Sequence, residues 1–513
     1  MNNMKKIFSL FNYSLLFTII TLSFLISFGA YWVKNYFKNV GLSEMMYTLS
    51  QPLTGSDSTQ LKSFLFGPLL KSILSSLALI LLICFFNVFL KKNQRALFLL
   101  KNKLLFGIVL VFFVFLGNAI IGVHKIGASE IKNYFFEKSS IFETYYSNPK
   151  DVKLTFPEKK RNLIYIYLES MENTYASLDI GGSQPDNLIP NLSNFALNEG
   201  INFSNTDKLG GAFTSPGTGF TVGGMVAQSA GIPLKVSGSY NENEYGNTEN
   251  FMPGAVSIGD ILNKQGYKQL LLLGSDANFS GRSKYYSQHG NYEIRDYNYA
   301  VKNNWIPENY KVWWGYEDQK LFEFAKLSLT ELSSSDQPFN FTMLTADTHF
   351  PDGFKSDQTP NIFDKQYSNV LHFSDAMLGE FINWIKEQPF YENTTIVISG
   401  DHLSMDQNFF KDIPNSYART VYNVILNSPI EPDKEKNRKF STMDFYPTTL
   451  ASLNVKIEGN RLGLGTNLYS NKKTILETLG EKEFIDELTK RSTYYEKRIM
   501  QGSDILDNLD TGK

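Results

Sequence analysis

Hydrophobic positions are distributed unevenly along this chain. Apolar runs crowd the first quarter, at 13–32, 73–90 and 104–123. Each is about 18–20 residues, long enough to cross a hydrocarbon core of about 30 Å as a helix. The first run lacks a small-residue cleavage site and others follow it, so the pattern predicts a retained anchor and not a removed signal peptide. Any one run also reads as a buried helix of a soluble core; the succession predicts transmembrane spans, with 1–124 as a membrane domain.

Beyond residue 124 the pattern changes. Residues 125–160 mix polar and aromatic side chains without a long apolar run, as in a juxtamembrane linker with some helix. Short apolar runs then alternate with longer helix-like segments, which predicts an α/β domain over 161–475 with a central sheet flanked by helices. Residues 476–513 read as a C-terminal helical tail. No internal repeat or low-complexity tract interrupts this order.

Several of the short runs end alike. "LIYIYLES" leads to Glu169, "QLLLLGSD" to Asp276, "FNFTMLTADTH" to His349, and "TIVISGDH" to Asp401 and His402. A continuous apolar run suits a strand buried on both faces. In an open α/β sheet the C-terminal strand ends converge on the ligand crevice, so these endings are expected to share one pocket.

Charge orients the anchor. Lys5 and Lys6 precede the first span, and Lys91, Lys92, Arg95, Lys101 and Lys103 fill the loop between the second and third. Excess positive charge marks the cytoplasmic side. The N-terminus and that loop are therefore expected in the cytoplasm, and the α/β domain outside it, at a bacterial inner membrane. The formal net charge of −2 gives no basic surface for nucleic acid. The single cysteine, Cys84, lies in an apolar run, so no internal disulfide forms.

Glu169, Asp401 and His402 form a mixed oxygen and nitrogen donor set suited to Zn²⁺ or Mn²⁺. Read alone, the Asp401–His402 pair is also a turn carboxylate beside a surface histidine. The stretch "FTSPGTGFTVGGM" at 213–225 has two readings as well. Its glycines suit a phosphate cradle, whereas its hydroxyls suit a nucleophile. It lacks the Gly-Lys-Ser/Thr ending of a nucleotide-binding loop.

Taken together, "NLIYIYLESME", "SPGTGFTVGGM", "TADTHFP" and "VISGDHLSM" resemble, in order and spacing, the membrane-anchored phosphoglycerol transferases. These form part of the sulfatase-like branch of the alkaline phosphatase superfamily. The likeness covers about residues 160–470, including "WWGYEDQKLF", "MDFYPTTLASL" and "RLGLG". It is strongest to the group that modifies osmoregulated periplasmic glucans, and weaker to lipoteichoic acid synthases and lipid A phosphoethanolamine transferases.

The resemblance implies one divalent ion, Mn²⁺ favoured over Zn²⁺ or Mg²⁺, on Glu169, Asp401 and His402. It selects Thr218 as nucleophile and further metal ligand. A weak hydroxyl nucleophile gains from a metal that lowers its pKa. His349 is implied as the group that contacts the phosphate or protonates the leaving alkoxide, and Arg282 as a clamp on glycerol phosphate. Asp276 and His289 are further candidate substrate contacts. His372 is expected to be structural, and Trp313 and Trp314 to pack on the core or stack on sugar.

The implied reaction moves glycerol phosphate from phosphatidylglycerol, through an adduct on Thr218, to a hydroxyl of an envelope glycan. Phosphoethanolamine transfer, phosphodiester or phosphomonoester hydrolysis, and non-catalytic glycan binding are the alternatives. Leu273 and Ser280 stand where the synthases carry histidine and aromatic side chains. No histidine follows His402 to build the second zinc site of the lipid A enzymes.

Overall fold

The computed structural model describes residues 2–36, 41–42, 46, 58–92, 103–235, 249–406 and 408–503. Arg95 and Lys101, used above for orientation, lie outside them, as do residues 504–513 of the expected tail. The chain divides into two compact units, Met1–Leu42 with Ser56–Lys132, and Ser43–Gly55 with Asn133–Lys513.

The first unit consists of long apolar helices. These are α1 (Asn2–Tyr36), α2 (Ser58–Phe64), which runs through a π turn at Leu65–Leu69 into α3 (Leu70–Lys92), and α4 (Lys103–Ile126). Segments Ser14–Asn35, Leu61–Phe85 and Val109–Ile126 are long and apolar enough to cross a membrane. Large apolar side chains face outward on all of them, among them Leu22, Leu81, Phe85 and Phe113. Such a surface suits lipid and not water. Polar groups turn inward instead: Ser27 donates to Asn118 Oδ1 at 2.5 Å between α1 and α4, a contact that satisfies both in an apolar setting.

The second unit is built on a six-stranded sheet: β1 (Asn162–Leu168), β2 (Lys268–Leu273), β3 (Glu293–Arg295), β4 (Phe339–Leu344), β5 (Thr394–Gly400) and β6 (Asn423–Leu426). The strand order is β3-β2-β4-β1-β5-β6. All neighbours are parallel except β6, which pairs antiparallel with β5. β1 sits centrally, and its alternating residues explain the apolar run. Leu163, Tyr165 and Tyr167 enter the core on one face, and Ile164, Ile166 and Leu168 the core on the other. Helices α5 (Thr221–Ala230) and α9 (Phe445–Ser452) cover the first face, and α7 (Asp318–Leu332) and α8 (Gln366–Lys386) the second. A short helix, α6 (Arg282–Gln288), follows β2. This is the α/β architecture expected from the sequence.

Candidate active site

Parallel register gathers the strand ends. Leu168 pairs with Gly400, and Tyr167 with Leu344, so the residues after β1, β4 and β5 emerge side by side. Glu169, Asp401 and His402 then meet: their ligating atoms all lie within 4.8 Å of one another, and each side chain is buried. His402 Nε2 is 3.6 Å from Glu169 Oε1 and 3.4 Å from Asp401 Oδ2.

Local hydrogen bonds aim each group. The backbone N–H groups of Ser170 and His402 donate to Asp401 Oδ1 at 2.8 and 2.7 Å. Its other oxygen, Oδ2, is buried and receives no donor. His402 Nδ1 donates to the Leu403 carbonyl at 2.8 Å, which turns Nε2 towards the carboxylates. The Ser170 hydroxyl donates to Glu169 Oε1 at 2.7 Å.

Burial pushes the Asp401 carboxyl well above the usual carboxylate range, and the adjacent Glu169 charge adds to this. Burial acts the same way on Glu169, but the imidazoles of His402 and His349 and the Ser170 hydroxyl outweigh it and hold this carboxyl low. Two buried carboxylates, one oxygen of which has no hydrogen-bond donor, and the His402 ring nitrogen face one another at ligand distance. A single divalent cation fits this donor set.

The hydroxyl that joins the cluster is that of Thr221. Its Oγ1 lies 3.3 Å from Glu169 Oε2 and 3.4 Å from His402 Nε2. Thr221 is the first residue of α5, where the helix dipole favours developing negative charge. It is partly open to solvent.

Thr218, expected to supply the nucleophile and a metal ligand, is placed otherwise. It is fully buried. Its hydroxyl donates to the Ser215 carbonyl at 2.9 Å and accepts from the Ser215 N–H at 2.8 Å. The physical reason is a tight turn at Gly217, whose φ is +84°, which folds Thr218 back on its own loop. Gly224 lets α5 approach: a Cβ there would lie 2.1 Å from the Asp401 carbonyl oxygen.

The other expected residues divide. His349 follows β4, and its charge reaches Glu169. Its ring packs against Trp314 at 4.9 Å and Phe350 at 5.0 Å, and Nδ1 donates to the Phe350 carbonyl at 2.6 Å. Trp314 also meets Phe279 at 5.6 Å, and Arg282 lies over that ring at 5.7 Å. Arg282 is buried and donates to the carbonyls of Phe279 and Asp276. Asp276 accepts the Asn278 N–H at 2.9 Å. Both shape the turn after β2, which the ring contacts connect to His349.

His289, a further candidate substrate contact in the sequence, has internal partners. It is buried at the end of α6, with Nδ1 3.1 Å from Asp260 Oδ2 and Nε2 2.7 Å from the Phe251 carbonyl. Both ring nitrogens have acceptors, so the residue fastens the segment around Phe251 to the sheet edge. His372 faces the Leu188 carbonyl at 3.3 Å and Phe363, as a structural residue would.

Sequence reasoning missed the supports beneath the site. Glu172, fully buried, accepts from Arg419 Nε at 2.7 Å and from the Ser404 N–H at 3.0 Å, which ties the loop after β1 to the loop after β5. Asp318 accepts the N–H groups of Ala346 and Asp347 at 2.8 and 2.9 Å, and the Asp318 N–H donates to Asp347 Oδ2 at 3.1 Å. This clasp fixes the start of α7 to the loop that carries His349. Only the acidic residues in "ESME" and "WGYED" hinted at it.

An open, mainly parallel sheet with a buried carboxylate–imidazole centre at its C-terminal edge defines an α/β protein of metal-centre type. Residues 161–455 match the sulfatase family, and the chain belongs to that family. It is 33% identical over 357 residues to phosphoglycerol transferase I of Citrobacter koseri, which covers 67% of this chain and 43% of that protein. It is 34% identical over 345 residues to phosphoglycerol transferase I of Escherichia coli O6:K15:H31, covering 64% and 41%. The chain thus spans less than half the length of these curated relatives. Among solved structures it is similar to lipoteichoic acid synthase LtaP from Listeria monocytogenes, with 20% identity, TM-score 0.47, and coverage of 62% of this chain and 79% of that one.

Proposed function

We propose that this chain is a membrane-anchored, metal-dependent transferase that moves glycerol phosphate from phosphatidylglycerol to a hydroxyl of an envelope glycan. The observation that carries this reading is the Thr221 hydroxyl at the helix start, 3.3 Å from Glu169 and 3.4 Å from His402. The relatives that share its sequence are named for phosphoglycerol transfer.

Glu169, Asp401 and His402 would hold one divalent ion, Mn²⁺ favoured over Zn²⁺ or Mg²⁺, with Thr221 in place of Thr218 as the hydroxyl beside it. When bound, such an ion lowers the hydroxyl pKa and neutralises charge on the phosphoryl oxygens. In the first step Thr221 Oγ1 bonds to phosphorus as the bond to the diacylglycerol oxygen breaks, and the hydroxyl proton leaves to a base. His349 returns a proton to the diacylglycerol alkoxide. In the second step a glycan hydroxyl attacks the phosphorus of the phosphodiester on Thr221. The threonine oxygen leaves and regains a proton, and the glycan proton is released.

Residues 1–124 serve as anchor, 125–160 as linker, 161–475 as catalytic domain and 476–513 as tail. The lysine-rich loop between the second and third spans puts the N-terminus in the cytoplasm and the catalytic domain outside.

The test uses the full chain with labelled phosphatidylglycerol or phosphatidylethanolamine, with and without Mn²⁺. The expected result is metal-dependent diacylglycerol release from phosphatidylglycerol, a labelled protein adduct and its loss in Thr221→Ala. Release from phosphatidylethanolamine alone overturns the donor, and undiminished adduct in Thr221→Ala overturns the nucleophile.

A further inference from the structure

The helical unit holds a cleft of about 200 Å³ bordered by Phe28, Tyr31, Trp32, Asn35 and Lys71, with buried Pro68 in its wall. Its position follows from the helix that faces α1. Pro68 has no N–H to donate and disrupts the regular ladder. The chain there forms the π turn at Leu65–Leu69, a wider turn that occurs often at functional sites. The Ser72 hydroxyl donates to the Pro68 carbonyl at 2.7 Å.

Trp32 does not collapse into the space. Its Nε1 donates to Ser63 Oγ at 2.9 Å, and its ring packs edge-on against Phe64 at 5.4 Å. The cleft therefore has a fixed aromatic wall.

Its depth in the bilayer is set by the spans. Ser14–Asn35 finishes, and Leu61–Phe85 begins, at this same end of the unit. Tryptophan and tyrosine at a span end mark the headgroup level. The charges there are distinctive. Lys34 is 3.5 Å from Glu130, and Lys125 lies 5.4 Å over the Tyr31 ring. Lys71 borders the cleft without an ion-pair or hydrogen-bond partner among the described residues. Lys71 is the eleventh residue of Leu61–Phe85, and its four-carbon stem can carry the ammonium group towards the headgroup side, where, beside an amide and apolar rings, it complements a phosphate diester attached to acyl chains.

We propose that this cleft binds an anionic phospholipid, with the phosphate on Lys71 and Asn35 and the upper acyl carbons against Phe28 and Trp32. The binding is independent of the transfer reading, because it involves no turnover.

The test is native mass spectrometry of the full chain in detergent with equimolar phosphatidylglycerol and phosphatidylcholine. The expected result is a retained phosphatidylglycerol adduct that Lys71→Gln weakens about fivefold. Lys71→Arg restores it, Lys62→Gln leaves it unchanged, and Thr221→Ala still binds. Equal retention of phosphatidylcholine, or a Lys71→Gln adduct as strong as the parent's, overturns the proposal. A Lys71-dependent adduct in a chain that transfers nothing would uphold this site while removing the transferase reading.

Discussion

The Tyr367 hydroxyl lies 3.2 Å from that of Tyr175, and together they fasten the three loops that form the site. Tyr175 donates to the Ser170 carbonyl at 3.1 Å, after β1. Tyr367 reaches the Thr348 carbonyl at 2.8 Å, after β4, and Ser404 Oγ at 3.2 Å, after β5. Glu169, His349 and the Asp401–His402 pair each sit within three residues of one of these points. Both rings are fully buried, so the alignment of the site depends on hydroxyls that touch no substrate.

Tyr367→Phe keeps the ring and removes the hydroxyl, leaving the Thr348 carbonyl without its partner. A buried acceptor left unsatisfied costs about 1–3 kcal/mol. The expected outcome is that loss in denaturant unfolding, together with a fall in kcat of about tenfold to a hundredfold and a nearly constant KM. A change confined to KM would show that the hydroxyl does not align the reacting groups.

The same relationships show what was legible in the sequence. Strands β1, β2, β4 and β5 were readable because each is a continuous apolar run, whereas the edge strand β3, Glu293–Arg295, carries charges at both ends and gave no such signal. The cluster of Glu169, Asp401 and His402 was readable because parallel strands deliver their ends to one edge. The choice between Thr218 and Thr221 was not, because it depends on a positive φ at Gly217 that turns one hydroxyl back onto its loop. The partners of His289, Asp260 and Phe251, were hidden because both are distant in sequence. The tyrosine pair was hidden because Tyr175 and Tyr367 are 192 residues apart.

The two threonines are expected to respond in opposite ways. Thr221→Ala removes a partly exposed hydroxyl and should leave stability within about 0.5 kcal/mol, while turnover falls about a thousandfold or more. Thr218→Ala removes both bonds to Ser215 and should cost about 1–2 kcal/mol, with turnover retained at temperatures where the protein stays folded. Thermal unfolding and diacylglycerol release, measured on both variants, check the pair. Inactivation by Thr218→Ala at full stability would reverse the assignment.

Gly224→Ala tests the approach of α5 to the strand edge. The added Cβ meets a backbone carbonyl at 2.1 Å, which no rotamer relieves. The helix start must shift and carry Thr221 with it. Activity is expected to fall about a hundredfold, whereas Gly459→Ala, with nothing within 4 Å of its Cβ, leaves activity unchanged. Its positive φ still costs that variant some stability. Full activity in Gly224→Ala would contradict the close packing.

Two buried carboxyls away from the site set a pH dependence. Burial pushes Asp375 up to about 6, against the N–H groups of Leu192 and Asn191 that act the other way. Burial likewise pushes Asp444 up to about 6, against N–H groups of Ser441 and Thr466. A raised folded pKa means the native state binds the proton more tightly. Stability from these groups is complete below about pH 4 and is lost as pH rises towards 6, by up to about 3 kcal/mol each. Unfolding midpoints measured from pH 4 to 7 should show this decline, with a shallower slope in Asp444→Asn.

Metal removal should destabilise the second unit, and one substitution should reverse the effect. Without a cation, Glu169 and Asp401 share a buried space in which burial and mutual repulsion oppose the second charge. Bound metal stabilises the native state in proportion to the logarithm of its concentration over Kd. A chelator is therefore expected to lower the unfolding temperature of the parent chain, and added Mn²⁺ to restore it. Asp401→Asn keeps an oxygen for the Ser170 and His402 N–H groups and places an amide donor where Oδ2 has none. That variant should unfold at a higher temperature than the metal-free parent at neutral pH, yet gain nothing from Mn²⁺. If chelator leaves the parent unchanged, or if Asp401→Asn still responds to metal as the parent does, the cation does not sit on these residues.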